Sequence, residues 1–320
     1  MTTDELYMQR CLQLARHGWR TAPPNPMVGA LIVADGRIIG EGFHVRCGEG
    51  HAEVNAFAAV QPADEPLLTQ ATLYVSLEPC SHFGKTPPCA DLIIRKGIRR
   101  CVVGCIDPFD KVKGRGIDKL RQAGIDVEVG VLENECRALN KHFFTFHQQH
   151  RPFVTLKWAQ TADGFIGRKD QTPDNPLTIS NPLTRMLCHK RRAEHQAIMV
   201  GSHTMQTDAP RLNVRLWSGD NPIPLVLTRA NGPLPDQLRR LWTQGVQTLL
   251  VEGGRETLQS FIDEGLWDEA YVETGTRPLD GSDGVPAPRL HGAQLVGVQM
   301  VGGHKMERLA PAPRKTTVHH

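Results

Sequence analysis

The stretch from His51 to Cys89 reads HAEVNAFAAVQPADEPLLTQATLYVSLEPCSHFGKTPPC, and it decides the interpretation of the whole chain. Zinc prefers imidazole nitrogen and thiolate sulfur in a tetrahedron, and a catalytic zinc keeps three protein ligands and leaves one position to water. This stretch offers one histidine at its start and two cysteines that each follow a proline. The pattern therefore predicts one catalytic Zn²⁺ per chain, with His51, Cys80 and Cys89 as its ligands.

Glu53 stands beside this ligand set, two residues after His51 in a segment that reads as the first turn of a helix. Bound zinc lowers the pKa of its water towards neutrality, giving a hydroxide that can attack an electron-poor ring carbon carrying an amino group. Glu53 is the expected catalytic residue, taking the proton of the water and passing it to the departing ammonia. A closed structural site would need a fourth protein ligand at short spacing. The other alternative is two unrelated cysteines and an ordinary core histidine.

The ligand spacing departs from the usual pattern of zinc nucleobase deaminases, in which H-x-E is followed by P-C-x-x-C. Here the eight residues 81–88 separate the two cysteines, and the segment Asn25-Pro26-Met27-Val28-Gly29 lies upstream. Together these three motifs resemble the bifunctional deaminase-reductase family of riboflavin biosynthesis. The resemblance implies an α/β protein, with an N-terminal cytidine-deaminase-like three-layer domain followed by a dihydrofolate-reductase-like α/β domain.

Length and composition agree with a two-domain protein, because 320 residues with 40% apolar and 22% charged side chains can build two full cores. The net charge is +3 and no long run of like charges occurs, which argues against a nucleic-acid partner. No stretch approaches eighteen apolar residues, so we expect no membrane partner and a cytoplasmic location. The eight cysteines are too sparse for a disulfide scaffold, and Cys101 and Cys105 read as buried thiols.

The first domain, 1–149, alternates between helical and strand patterns. Thr2 and Glu5 form a capping-box pattern before a helix, and Asp35-Gly36 is a hairpin signal between two strands. The expected elements are helices 4–18, 51–60, 90–96, 116–123 and 132–147, and strands 28–33, 37–42, 72–76, 100–104 and 127–129. This alternation predicts a sheet with helices on both faces, and a crevice where strands end.

The family resemblance implies five substrate contacts in the deaminase domain: Asn25, His44, His82, Lys85 and Asp107. From the residues alone, Asn25 is as easily a turn residue before Pro26, and the histidines and the lysine are as easily solvated. By the resemblance, Asp107 is expected to contact the ribose. The family usually has Asn at the position of Phe109, so we expect the contact with the sugar to differ there.

The second domain, 150–320, restarts after Arg151-Pro152 and contains no P-loop and no G-x-G-x-x-G. Gly253-Gly254 follows the apolar strand 248–251 and precedes the helix 256–264. In this position the free backbone N–H groups at the start of the helix could bind a pyrophosphate. A diglycine is more often a tight turn. The resemblance implies an NADPH-dependent reductase that converts an opened ribose to a ribityl chain.

The reductase residues are carried over from the family by resemblance. The implied substrate contacts are Arg192, Leu212, Arg215 and Glu252, and a guanidinium can hold a phosphate bidentately. The implied cofactor contacts are Gln160, Thr178, Thr204, Asp208, Gly253 and Gly254. Two departures stand out: Thr178 replaces a common Trp, and the run 229–248 is shortened where a strand and part of the adenosine side would ordinarily form.

The resulting hypothesis is a bifunctional enzyme of riboflavin biosynthesis acting on a small phosphoribosylaminopyrimidine. It would deaminate 2,5-diamino-6-(5-phosphoribosylamino)pyrimidin-4-one with zinc, then reduce the ribosyl group with NADPH. We also expect a homo-oligomer. One alternative is a deaminase whose second domain is a non-catalytic binding or oligomerisation module. Another is a nucleoside or tRNA deaminase, which would favour the shorter cysteine spacing.

Overall fold

The structure is a computed structural model that describes residues 1–83, 87–109, 112–279 and 283–313. The chain divides into two compact units, Met1–Gln149 and His150–His320. Each unit has its own sheet and its own buried core.

The first unit begins with a helix whose capping box is confirmed, because Thr2 and Glu5 exchange side-chain and backbone hydrogen bonds. The predicted hairpin is also confirmed, with Asp35 and Gly36 both at positive φ. In chain order the elements are α1 Thr3–Ala15, β1 Gly29–Ala34, β2 Arg37–Phe43, α2 Ala52–Ala58, β3 Thr72–Val75, α3 Cys89–Arg95, β4 Arg100–Val103, α4 Arg115–Gln122, β5 Asp126–Val129, α5 Glu133–Leu139 and α6 Lys141–Gln149.

These strands form one five-stranded sheet in the order β2-β1-β3-β4-β5. Strand β1 is antiparallel to both of its neighbours, and β3, β4 and β5 are parallel. One face packs on α2, α3 and α4, through buried side chains such as Ala56, Ile93 and Leu120. The opposite face packs on α1 and the C-terminal helices, through Met8, Leu12 and Phe144 among others. The predicted sheet with helices on both faces is thus confirmed.

Helix α2, which carries the central motif, lies unusually close to strand β2. A Cβ atom added at Gly40 or at Gly42 would come within 2.4 Å of a backbone atom of Ala56. Since real Cβ atoms do not approach backbone this closely, only glycine permits the helix to rest on the strand. The two glycines therefore fix the height of α2 above the sheet and with it the position of its first turn.

The single helix expected over 132–147 is wrong, because the chain breaks into α5 and α6 at Asn140. The Asn140 amide donates to the Met27 carbonyl oxygen and accepts from the Met27 amide, both at 2.8 Å. Its backbone leaves helical geometry, with φ −109° and ψ 26°. The break ties the C-terminal helices to the loop that precedes β1.

The second unit is also α/β. Its elements are β6 Phe153–Gln160, β7 Phe165–Arg168, α7 Pro182–Ala193, β8 Ala197–Gly201, α8 Ser202–Asp208, β9 Ile223–Leu227, α9 Leu234–Thr243, β10 Thr248–Val251, α10 Arg255–Asp263, β11 Glu269–Thr274, β12 Gly284–Pro286, β13 Ala293–Val301 and β14 His304–Pro311. Seven strands form one sheet in the order β13-β14-β11-β6-β10-β8-β9, and β12 pairs with β7 separately.

The core of this unit lies between the sheet and the helices α9 and α10, whose Leu238 and Phe261 are fully buried. The shortened run expected over 229–248 contains a 3-10 turn, Arg229–Asn231, and helix α9. Strand β9 is therefore the last strand on that side of the described sheet. Across both units, the helices that the structure describes include none long and apolar enough to cross a membrane.

Candidate functional site

The three predicted zinc ligands lie together in the first unit. The Nδ1 atom of His51 is 3.5 Å from the sulfur of Cys80 and 3.4 Å from the sulfur of Cys89. Zinc–nitrogen and zinc–sulfur bonds of ~2.05 and ~2.3 Å at tetrahedral angles place such atoms about 3.6 Å apart. The two nitrogen–sulfur distances therefore match edges of a zinc tetrahedron, and all three donor atoms lie within 4.8 Å of one another.

Two helix starts bring these donors to one point. His51 is the N-cap of α2, and Cys89 is the first residue of α3. Cys80 lies in the loop that follows β3, where its sulfur accepts the Cys89 amide at 3.3 Å. Helix N-termini favour negative charge, which suits thiolate ligands. Donation from the Cys89 thiol and from His51 lowers the pKa of Cys80 to about 4, while the same sulfur contact raises the pKa of Cys89.

Glu53 lies in the first turn of α2 and is only 3% exposed. Burial raises the pKa of its carboxyl group to about 7, although the nearby His51 opposes this shift. The Glu53 carboxyl group also interacts with the Cys89 side chain, so it borders the ligand triangle. A carboxyl group with a pKa near neutrality can both accept and release a proton at physiological pH.

Asn25 and His44 form one wall beside the ligands. The Asn25 side-chain nitrogen is 3.1 Å from Nε2 of His44, and the His44 ring meets the His51 ring edge-on at 5.4 Å between centroids. Burial lowers the pKa of His44, which keeps its imidazole neutral. The wall can therefore offer neutral donors and acceptors to a polar ring edge.

Asp107 lies in the loop that follows β4, and His82 lies two residues after Cys80. Glu78, two residues before Cys80, accepts backbone hydrogen bonds from Asp107, Gly114 and Gly116 and so fixes the loop that follows β4. Burial raises the pKa of Asp107 to about 7, and the nearby negative charges of Glu78 and Cys80 add to this shift. His82 is exposed and faces the Phe109 ring. Lys85, the remaining predicted contact, lies outside the described residues.

The second unit contains a cavity of about 1110 Å³. Of the predicted cofactor contacts, Thr204, Asp208 and Gly254 line it, and the Gly254 amide donates to the Thr204 hydroxyl group at 3.0 Å. Gln160, Thr178 and Gly253 are not part of the described lining. Four basic residues that the sequence reasoning missed also face the cavity: Arg168, Lys169, Arg229 and Arg255. The acidic residues Asp208, Glu256 and Asp263 line the cavity as well, so it offers side chains of both charges to a ligand of dinucleotide size.

The predicted substrate contacts of the second unit lie near one another, because Arg192 donates to the Asn213 carbonyl oxygen, between Leu212 and Arg215, at 3.1 Å. Arg192 and Glu252 form a buried ion pair at 2.6 Å, and the pair lowers the pKa of Glu252 against the effect of burial. Arg215 is exposed and donates to the Asn213 side chain. The Leu212 side chain packs in a small core cluster, so a ligand contact at that position would have to use its backbone.

Sequence reasoning also missed a buried polar network around Lys157. This lysine lies in the apolar strand β6, and burial lowers its pKa. Electrostatic interactions with Cys188, Glu252 and Glu273 outweigh that effect, so the net pKa is raised and the amine stays charged. Glu273 in turn accepts hydrogen bonds from Ser180, Thr184 and His304. The signal was available, because a lysine inside an apolar strand needs buried partners.

A His-Cys-Cys group beside a buried carboxyl group on this sheet defines a zinc deaminase domain. The family model for the cytidine and deoxycytidylate deaminase zinc-binding region matches residues 1–105, and the model for the RibD C-terminal domain matches residues 152–275. The riboflavin biosynthesis protein RibD of Escherichia coli is 44% identical over 97% of this chain and 94% of its own length. The protein of the same name from Aquifex aeolicus is 38% identical, over 84% and 86%. The chain belongs to the RibD family of riboflavin biosynthesis proteins.

Solved structures agree with this assignment. Acinetobacter baumannii RibD superimposes with a TM-score of 0.85 at 29% identity, covering 97% of this chain and 99% of that one. The Thermotoga maritima diaminohydroxyphosphoribosylaminopyrimidine deaminase/5-amino-6-(5-phosphoribosylamino)uracil reductase superimposes at 0.82 with 32% identity and the same coverage. The predicted fold class and family are confirmed, and so is the zinc-binding deaminase domain.

The ligand assignment gives a direct prediction. Replacing Cys89 with Ser should lower zinc content from one per chain towards zero, because a neutral hydroxyl group is a poor substitute for a thiolate ligand. Metal analysis of the purified protein measures this change. The matched control is Cys47→Ser, since Cys47 is an exposed cysteine outside the ligand group. Full zinc in Cys89→Ser would show that the ligand lies elsewhere.

Proposed function

We propose that the first unit hydrolyses the 2-amino group of 2,5-diamino-6-(5-phosphoribosylamino)pyrimidin-4-one, releasing ammonia. The observation that carries this proposal is the tetrahedral spacing of His51, Cys80 and Cys89 beside the buried Glu53. A structural zinc would not need an ionisable group bordering its ligands. Family membership supports the choice of substrate, since the Thermotoga maritima relative is a diaminohydroxyphosphoribosylaminopyrimidine deaminase.

Each residue of the site has a separate role in the proposed deamination. Bound zinc supplies a Lewis acid that lowers the pKa of a water molecule towards neutrality. Glu53 takes a proton from the attacking water and returns it to the amino group as that group leaves. Asn25 and His44 hold the polar edge of the pyrimidine, while Asp107 and His82 face its sugar. Burial keeps bulk water away from Glu53 and so maintains the raised pKa of its carboxyl group.

Glu53→Gln should retain one zinc per chain and lower ammonia release about 10²–10⁴-fold, because the amide cannot shuttle a proton. Ammonia release and metal content are measured on the same preparation. The reductase activity of that preparation is the control for folding. Turnover at the wild-type rate would exclude Glu53 as the proton carrier.

We propose that the second unit reduces the ribosyl group of the deaminated product to a ribityl group. NADPH, when bound, supplies the hydride. The cavity supports this assignment through its volume, the basic side chains in its mixed-charge lining and the start of helix α10 at Gly254. Titration with NADPH tests the proposal, and a lack of binding and oxidation would favour a non-catalytic module.

Arg215 is the better candidate of the two predicted arginines for the substrate phosphate, because Arg192 is already committed to Glu252. Arg215→Ala should raise the reductase KM about 10- to 100-fold, the range expected for loss of a hydrogen bond to a charged group. Deaminase kinetics should not change. The matched control is Arg211→Ala, which removes another exposed arginine from the same segment. Equal damage to both activities would contradict separate sites.

We further propose that the protein is a homo-oligomer joined through strand β13. The register with β14 places Leu295, Val298 and Met300 on one face, and all three are more than half exposed. Strand β13 carries no charged residue and lies at the end of the described sheet. In a two-fold interface each strand pairs with the same strand of the other subunit, so any charge would face its own copy. An uncharged strand avoids this repulsion.

Sedimentation equilibrium tests this interface. Val298→Lys should convert the oligomer to monomer, because it buries a charge opposite its own copy. Gln299→Lys, on the other face of the same strand, is the control and should leave the mass unchanged. A monomeric wild-type protein, or equal effects of the two variants, would exclude this interface.

A further inference from the structure

The side chains of His44 and Asn25 are held in one hydrogen-bonding arrangement. The Nδ1 atom of His44 lies 3.1 Å from the Gly50 carbonyl oxygen, and its Nε2 atom lies 3.1 Å from the side-chain nitrogen of Asn25. A carbonyl oxygen can only accept, so Nδ1 carries the hydrogen and Nε2 of the neutral ring is left as an acceptor. Nε2 therefore accepts from the Asn25 amide nitrogen, and both nitrogens of the imidazole are engaged.

The Gly50 carbonyl oxygen connects this pair to the helix that begins at the metal site. Asn55 on α2 donates to the same oxygen at 3.2 Å and to the Phe43 carbonyl oxygen at 2.8 Å. Gly50 immediately precedes the ligand His51, whose ring meets the His44 ring edge-on at 5.4 Å between centroids. The orientation of the His44 ring is therefore set by the same backbone that places the metal ligand.

Asn25 is the more accessible member of the pair. His44 is only 3% exposed, whereas Asn25 is half-buried in the loop before β1. Among the residues that the structure describes, none donates a hydrogen bond to Oδ1 of Asn25. Because both nitrogens of His44 are engaged, Oδ1 of Asn25 is the atom of the pair that can still accept a hydrogen bond from an amino group or a ring N–H group.

We infer that His44 is a positioning residue, which makes no hydrogen bond to the substrate itself. As the Nδ1–H tautomer it holds the Asn25 amide nitrogen and so presents Oδ1 of Asn25 to a hydrogen-bond donor on the pyrimidine. The inference rests on the proposed function and deepens it, because it divides the hold on the polar edge of the ring between a contact, Asn25, and its support, His44. An acceptor at this position favours a ring edge that donates over one that only accepts.

A double-mutant cycle on kcat/KM for deamination by the zinc-loaded protein separates positioning from contact. Asn25→Ala should lower kcat/KM about tenfold or more, the cost of leaving a donor unpaired, and His44→Ala should lower it by a similar factor. The double variant should match Asn25→Ala within about twofold, because His44 then has no amide to orient. His44→Gln, whose side-chain oxygen can accept from the Asn25 amide nitrogen, should recover most of the loss.

Nitrogen-15 NMR of the wild-type protein tests the tautomer without any turnover. Protonated and unprotonated ring nitrogens have different chemical shifts, and the His44 signals are those missing from His44→Gln. We expect the hydrogen on Nδ1 only. Zinc content and thermal unfolding report the folding of each variant. The matched control is His17→Ala, which removes an exposed histidine whose ring lies 5.5 Å from that of Phe43 and should leave kcat/KM unchanged.

The inference and the function beneath it fail in different ways. Losses that multiply in the double variant would show that His44 contacts the substrate and would overturn the inference. A hydrogen on Nε2 of His44, or equal damage in His44→Gln and His44→Ala, would overturn it as well. If His44→Ala does not retain zinc, the wild-type tautomer and the rate of His44→Gln decide the matter. Absence of deamination by the wild-type protein would instead reject the proposed function.

Discussion

The spacing of three donor atoms, one imidazole nitrogen and two sulfurs 3.4–3.5 Å from it, is the constraint on which the deaminase half depends. It exists because α2 and α3 both begin at the same end of the sheet, next to the loop that follows β3. Gly40 and Gly42 set the height of α2, and a single methyl group at either would displace its backbone. The chemistry of Glu53 is thus determined by backbone packing in the β1–β2 hairpin region.

Local patterns predicted this half of the molecule well. The hairpin and the capping box are each encoded within a few residues, and the predicted ligands and proton carrier belong to short motifs whose side chains the fold brings together. The break at Asn140 could not be predicted in this way, because its cause is a pair of hydrogen bonds to Met27, more than a hundred residues away in sequence. A helical pattern alone would continue through it.

The second half was less predictable for the same reason. Its polar groups come from separate strands and helices: Lys157 from β6, Cys188 and Arg192 from α7, and Glu273 from β11. Only the fold brings them together, and no short motif marks them. Resemblance located Thr204, Asp208 and Gly254 on the cavity, but it did not find the basic residues around them. The two halves therefore differ in how far a site can be inferred before the fold is known.

The most direct test of the central claim is X-ray absorption at the zinc edge of the loaded protein. We predict one nitrogen at about 2.0–2.1 Å, two sulfurs at about 2.3 Å and one light atom that completes the tetrahedron. The same shell should persist in Glu53→Gln, since Glu53 borders the metal without ligating it. A shell of four sulfurs, a shell without sulfur, or a shell that changes in Glu53→Gln would contradict the account.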